Sequence, residues 1–254
     1  MSLNFLNFEI IRFDVLDSTN NYAANLIKAS NPEEGVVILT NWQSAGKGQR
    51  GNVWQSNANE NLTLSVILKP EISVGNSFQL NVVMSLAVIE TLKELGVGAN
   101  IKWPNDIYVE NEKIAGILIE NSVSGDRIKY AILGLGLNVN QTTFNEVSAT
   151  SIAKCKGKNI ELKAVEDLIL KHLKRNYIRF KTGQYATLKN EYYQHMLGFQ
   201  EIRVFEDVSG KFNGVILGFD EQGNLKINVN QTVRTYAFKE VKFLFNAQNS
   251  SSVD

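Results

Sequence analysis

An unbroken apolar and β-branched run, Val36-Val37-Ile38-Leu39-Thr40, leads into a segment with glycines at positions 46, 48 and 51. The run reads as a buried strand, and glycines set this closely require a loop that turns sharply or passes close to something. Lys47 and Arg50 are interleaved with those glycines, and Trp42 and Trp54 flank them. Glycine backbone lets N–H groups converge on an anion, and interleaved cations suit a phosphate or carboxylate. A nearby indole offers a flat face to a base or ring. A solvated surface hairpin would use the same residue types, so the rest of the chain has to decide.

The 254 residues suffice for one large domain and a small one. Lys plus Arg and Asp plus Glu both total 26, so the net charge is zero, which removes any global argument for nucleic-acid or anionic-membrane binding. The single cysteine, Cys155, excludes an intrachain disulfide and a cysteine-based zinc site. His172 and His195 fall in helical-looking sequence and are expected to be structural or exposed. The N-terminus has no cationic start, long apolar core or small-residue cleavage site, and no apolar run approaches the roughly 18 residues of a membrane span. A cytoplasmic location is the expectation.

Residues 8–16 read as a first strand ending at Asp17-Ser18-Thr19-Asn20, and Tyr22, Ala23, Leu26 and Ile27 then recur at helical spacing up to Asn31-Pro32. Capping alone would account for Ser18, Thr19 and Asn20, yet a helix start also offers N–H groups and hydroxyls to a polar ligand. A strand is expected over 62–68, and a helix with one broad buried face over 76–95, stopped by Gly96. Short strands follow at 99–102, 106–109, 113–120 and 128–139, with a tight turn at Asn111-Glu112. Two polar clusters interrupt them, KWPND (102–106) and GLGLNVN (134–140). Lys113 opens a strand beside the small pair Ala115-Gly116. Helices over 161–181 and 185–197 lead to a change of texture at Gly198. Five short alternating strands over 201–205, 210–219, 225–229, 233–238 and 241–245 then suggest a small β-barrel. Two domains, 1–197 and 198–247, are expected, with a disordered polar tail at 248–254.

In order, the clusters are STN (18–20), WQSAGKGQRG (42–51), KWPND (102–106), KIAGILIE (113–120) and GLGLN (134–138). In that order and at that spacing the chain resembles the biotin–protein ligases, from about residue 8 to its end. The most specific part is KWPND followed closely by the run that opens at Lys113. The resemblance implies an α+β fold: a central mixed sheet with flanking helices, like the class II aminoacyl-tRNA synthetases, followed by an SH3-like barrel. It also implies that biotin and MgATP form biotinyl-5′-AMP and pyrophosphate, and that a lysine of a biotin carboxyl carrier protein then displaces AMP.

By the same resemblance, Ser18, Thr19, Asn20 and Gln43 would bind the ureido ring, whose one acceptor and two donors suit hydroxyls and amides. Ile117 and Leu135 would wall the aliphatic carbons. The loop would fold over the carboxylate and adenylate phosphate, through the backbone of Lys47, Gly48 and Gln49 and the charges of Lys47 and Arg50. Lys113 would neutralise charge as the carboxylate attacks phosphorus, making Lys113, Arg50 and Lys47 the catalytic candidates. Gly116, Gly134 and Gly136 would let biotin approach the backbone. Gly46, Arg50, Trp54, Lys102, Asn105, Asp106 and Asn138 would serve ATP, with Trp54 on the adenine and Asp106 holding Mg²⁺.

One departure stands in the loop. The common family pattern G-R-G-R-[RQ]-G-R is GKGQRGN here, so Lys47, Gln49 and Asn52 fill arginine positions, and a guanidinium clamp is lost at each. Some family members carry a DNA-binding domain ahead of the first strand. With a first strand beginning at Phe8, a monofunctional ligase without repressor function is expected. Family members are monomers or homodimers joined along a sheet edge, and both remain open. Lipoate or octanoate transfer on the same scaffold, and a ligand sensor with a relic site, are the competing readings.

Overall fold

The computed structural model describes residues 6–145 and 148–244, apart from the Arg50 side chain. The expected tail, 248–254, and the end of the last expected strand lie outside the described residues. The first sheet contains β1 (Glu9–Leu16), β2 (Val36–Gln43), β3 (Asn61–Leu68), β4 (Ile72–Ser73), β5 (Asn100–Lys102), β6 (Asp106–Val109), β7 (Glu112–Ser124) and β8 (Arg127–Asn138). Its order is β1-β2-β3-β8-β7-β6-β5, with the short β4 paired to β8. Among the described strands only β1 and β2 run parallel, joined through helix α1 (Thr19–Ser30), as a parallel pair requires a crossover. The sheet is therefore mixed, as the resemblance implied.

Every residue of β3 is buried, because helices cover both faces of the sheet. On one face, Ala23 of α1 packs with Ile38, Ile67, Tyr130 and Ile132. On the other lies α2 (Phe78–Glu94), which was expected to bury one face and instead is buried nearly all round. The reason is that α4 (Leu162–Lys181) and α5 (Tyr185–Gln194) cover its outer side. His172 of α4 is buried there, with Nε2 2.9 Å from Glu94 of α2, a structural place as expected.

Three local features depart from the sequence reading. The turn between β6 and β7 is Glu110-Asn111, one residue earlier than expected, since Val109 pairs directly with Glu112 and Glu110 takes the positive φ (52°). Glutamate carries no turn signal, which is why the asparagine misled. Strands β7 and β8 both run past the expected ends on the β7–β8 hairpin side. A five-residue helix, α3 (Ile152–Lys156), is also present, with the Ser151 side chain accepting from the Lys154 N–H and Gly157 in the left-handed region.

The C-terminal strands β9 (Ile202–Asp207), β10 (Gly210–Phe219), β11 (Leu225–Val229), β12 (Thr232–Tyr236) and β13 (Lys242–Phe243) form an antiparallel sheet ordered β12-β11-β10-β9-β13. Its core is continuous with that of the first sheet. Phe78 of α2 packs edge-on against Phe219 with centroids 4.6 Å apart, and Trp103 Nε1 donates to the Gly223 carbonyl at 2.9 Å. At Gly223 a Cβ would drive into the Phe78 ring. The change of texture at Gly198 is thus a change of architecture and not a break in the core.

Candidate functional site

On the α1 face of the first sheet lies a cavity of about 100 Å³. Its wall includes Ser18, Thr19, Asn20, Gln43, Lys47, Gly48, Gln49, Trp54, Asn105, Asp106, Lys113, Gly116, Gly134 and Gly136. These residues, up to 118 positions apart in sequence, meet around one space as the motif order suggested, and Phe238 from the C-terminal part joins them. Gly46 sits just behind it in the loop, and Lys102 does not reach the wall.

One end of the cavity is a cluster of amides and hydroxyls. Ser18 is the N-cap of α1 by backbone conformation, but among the described residues its side chain makes no capping bond. Capping does not explain the cluster. Thr19 and Asn20 are the first two helical residues, buried, and aimed at the sheet. The Thr19 N–H donates to Gln43 Oε1 (2.8 Å), and Ser65 Oγ of β3 lies 2.7 Å from Thr19 Oγ1 and 2.6 Å from Asn20 Oδ1. Asn20 Nδ2 donates to Glu120 Oε2 at 2.7 Å. A Cβ at Gly134 would lie 3.0 Å from Asn20 Cγ and closer still to its oxygen, so only glycine admits that side chain. Ser65 and Glu120 were given no role from sequence. A serine at the centre of the buried run LTLSVIL was the available signal.

The other end is charged. Lys113 Nζ lies 2.6 Å from Asp106 Oδ1 and 5.8 Å from the Trp54 ring centroid. Side chains alternate along a strand, so Lys113 and Gly116, three residues apart, belong on opposite faces. A bulge overrides this: Ile107 pairs with Ala115 and Tyr108 with Lys113, leaving Ile114 as the extra residue. The lysine is thereby turned onto the cavity face, 3.2 Å from where a Gly116 Cβ would be. Lys102 stands across β6 from it, 4.8 Å over the Tyr108 ring. Burial, aided by Lys113, lowers the Lys102 ammonium pKa against the pull of Asp106. Burial and then Asp106 push the Tyr108 hydroxyl up to about 12. Asn105 acts as a clamp on β7, its amide donating to the Ile117 carbonyl while its own carbonyl accepts the Ile117 N–H.

Trp54 forms the floor between the two ends. A Gly136 Cβ would fall 2.6 Å from two indole atoms, and a Gly116 Cβ 3.2 Å from another, so the ring rests on both glycines. Trp54 Nε1 is buried without a hydrogen-bond partner among the described residues. Beyond the indole opens a second cavity of about 370 Å³, walled by Trp54, Lys113, Asn138, Gln141, Phe144 and Ala149 among others. Asn138 donates to the Thr150 carbonyl at 3.0 Å and keeps a buried Oδ1 with no partner among the described residues. Sequence reasoning named Asn138 but missed Gln141, Phe144 and Ala149.

The glycine loop is folded as a hairpin. Trp54 N–H donates to the Gly46 carbonyl (2.9 Å), Gly48 N–H to Asn52 (2.7 Å), and Gln49–Gly51 form one 3₁₀ turn. A Cβ at Gly46 would collide with the Trp54 carbonyl, whereas Gly51 takes a φ of 86°. The Gly48 N–H is consumed within the loop, which corrects the expectation that it faces an anion. Gln49 Oε1 is buried without a partner among the described residues. Lys47 is exposed on the cavity rim. Its charge helps hold the Asp17 carboxyl below its usual range, though the larger cause is the Asn21 amide. The Arg50 side chain lies outside the described residues. No group of three or more His, Cys, Asp or Glu is placed to hold a metal among the described residues.

Comparison with known proteins matches residues 12–138 to the Biotin/lipoate A/B protein ligase family. The Bacillus subtilis "Bifunctional ligase/repressor BirA" is 31% identical over 231 residues, 89% of this chain and 71% of that protein. The Paracoccus denitrificans "Biotin--[acetyl-CoA-carboxylase] ligase" is 28% identical over 82% of this chain and 90% of its own length. Among solved structures, the Aquifex aeolicus biotin protein ligase in complex with biotin and ATP superposes with a TM-score of 0.77, at 29% identity, over 93% of this chain and 99% of that one.

Proposed function

The chain belongs to the Biotin/lipoate A/B protein ligase family, and from that membership we propose that it is an ATP-dependent biotin–protein ligase acting on a lysine of a biotin carboxyl carrier domain. In the first step a biotin carboxylate oxygen attacks the α-phosphorus of ATP, and the bond to pyrophosphate breaks. In the second the lysine amine, having lost a proton, attacks the acyl carbon of biotinyl-5′-AMP, and the bond to AMP breaks.

One observation carries the reading. A single cavity has neutral donors and acceptors at one end, a lysine–aspartate pair at the other, and between them a floor formed by Trp54 resting on glycines. Ser18, Thr19, Asn20 and Gln43 would take the ureido group, and Ile117, Leu118 and Leu135 the carbons. Lys113 would stabilise charge building on the transferring phosphorus and acyl oxygens. Trp54 and Asn138 would bound the nucleotide in the second cavity, where the unpartnered Asn138 oxygen suits an exocyclic amine. Lys47, Gly48, Gln49 and Arg50 would cover the anhydride and exclude water until the lysine arrives. Asp106 is the acidic residue of the cavity wall, and Mg²⁺ commonly takes one carboxylate together with substrate phosphates. Asp106 fits that use, and the ion would neutralise phosphate charge there.

The test incubates the purified chain with MgATP, a carrier domain, and labelled biotin or lipoate. Labelled carrier with biotin alone is expected. Labelling by lipoate alone would move the activity to the other branch of the family, and labelling by neither acid would overturn both ligase readings.

A further inference from the structure

We propose that Glu120, acting through Asn20 and Ser65, is a positioning residue that sets the direction of the hydrogen bonds at the polar end of the cavity, so that Thr19 offers an acceptor there. The inference rests on the reading above that this end receives a cyclic urea.

The direction follows from counting protons. Glu120 sits on the exposed far half of β7, and neither it nor Ser65 belongs to the cavity wall. The Asn20 Nδ2 faces two acceptors, Glu120 Oε2 at 2.7 Å and the Leu118 carbonyl at 3.5 Å. A carboxylate can only accept, so the Asn20 amide nitrogen is held on that side and its oxygen on the side of Ser65. Ser65 Oγ, fully buried, has one proton, and the Asn20 oxygen 2.6 Å away can only receive it. The 2.7 Å contact between Ser65 and Thr19 must then carry the Thr19 proton, because two lone pairs facing each other at that distance would repel, and the Thr19 hydroxyl gives up its longer alternative, Gln43 Oε1 at 3.2 Å. Thr19 is left with a lone pair toward the cavity. The Thr19 N–H holds Gln43 Oε1, which leaves the Gln43 Nε2 hydrogens for the cavity.

The wall therefore presents one acceptor and at least one donor side by side. A ring N–H meets Thr19, and the adjoining carbonyl meets Gln43. Reversing the chain frees the Thr19 proton for Gln43 Oε1, 3.2 Å away, or for the cavity, where a ligand N–H then faces a hydrogen. A buried mismatch of that kind is how polar sites reject close analogues.

Substitutions at Glu120 test this, since an exposed strand position tolerates them and only the direction of the chain is at stake. Glu120→Gln keeps an acceptor for Asn20 and is expected to bind biotin within about threefold of the parent. Glu120→Lys supplies only donors, turns the Asn20 amide round, and should weaken biotin by on the order of 10- to 100-fold. ATP affinity and thermal midpoint should not change. Ser65→Ala removes the relay itself and should also weaken biotin, serving as the second variant. Calorimetry with biotin alone, and separately with ATP, reads all four proteins. If the parent binds ATP but not biotin, the reading of the cavity fails. If the parent binds biotin and Glu120→Lys and Ser65→Ala bind it within threefold, the relay fails. Equal losses in Glu120→Gln and Glu120→Lys would also overturn it, because the side chain would then matter for reasons other than hydrogen-bond direction.

Discussion

The indole of Trp54 rests where a side chain at Gly136 would have to be: a Cβ there would lie 2.6 Å from its Nε1 and Cζ2. One glycine on β8 thus keeps a tryptophan of the glycine loop against the sheet, with Lys113 beside its ring. Loop and sheet are coupled through this contact. Any ligand that fills the cavity fits itself to that indole.

Gly136→Ala is therefore expected to displace Trp54 and raise the ATP KM by more than about tenfold, a loss of 1.4 kcal/mol or more in the site. The protein should stay folded, because the indole can move outward into the second cavity. Steady-state kinetics with ATP varied, together with tryptophan emission in a background carrying Trp42→Phe, checks it.

Lys113→Ala removes the cation at the cavity end and leaves Asp106 half-exposed without its partner. Pyrophosphate release with biotin and ATP should fall by on the order of 100-fold or more, while the thermal midpoint changes little. Normal pyrophosphate release would refute the role.

Because one apolar cluster spans both sheets, residues 1–197 should not behave as a folded unit on their own. Cutting the chain there strips Phe219 from Phe78, Tyr192 and Tyr193 at once. The milder Phe219→Ala is expected to cost about 3–5 kcal/mol, read by chemical denaturation. A soluble, cooperative 1–197 fragment would make the two units independent.

Tyr108 gives a pH signature. Its hydroxyl is pushed from 10.0 to about 12 by burial first and Asp106 second. A raised pKa means the folded state holds its proton more tightly. The contribution is therefore complete below pH 10 and is lost as pH rises between 10 and 12. Tyr108→Phe should remove one phenolate transition near the upper end of that window and flatten the fall in stability across it.

Much of this site could be read from residue order. The glycines of KIAG and GLGLN looked like points of close approach, and Gly116, Gly134 and Gly136 each face a side chain that a Cβ would meet. The resemblance grouped Ser18, Thr19 and Asn20 with Gln43, and they meet because both stretches end strands that lie next to each other. What stayed hidden depends on contacts without a local signature. Ser65 lies inside the buried strand β3 and Glu120 on the exposed far half of β7, and their meaning comes only from Asn20, many positions away. The burial of α2 all round depends on α4 and α5, which no periodicity within α2 reports. The Gly48 N–H looked free until its partner Asn52, four residues on, turned back to meet it.

The bulge at Ile114 gives the spacing in KIAG its significance. Strand sequence is read by parity, and one supernumerary residue changes odd to even for everything before it. A lysine two or four residues ahead of Gly116 could share its face on a regular ladder. Three is the wrong count, and the bulge makes it right. In this chain the interval between Lys113 and Gly116 thus records a displacement in the ladder: with the same sequence and Ile114 paired in turn, the ammonium would pass through the sheet to the side of α2, whereas deleting Ile114 together with the bulge would leave it facing the cavity.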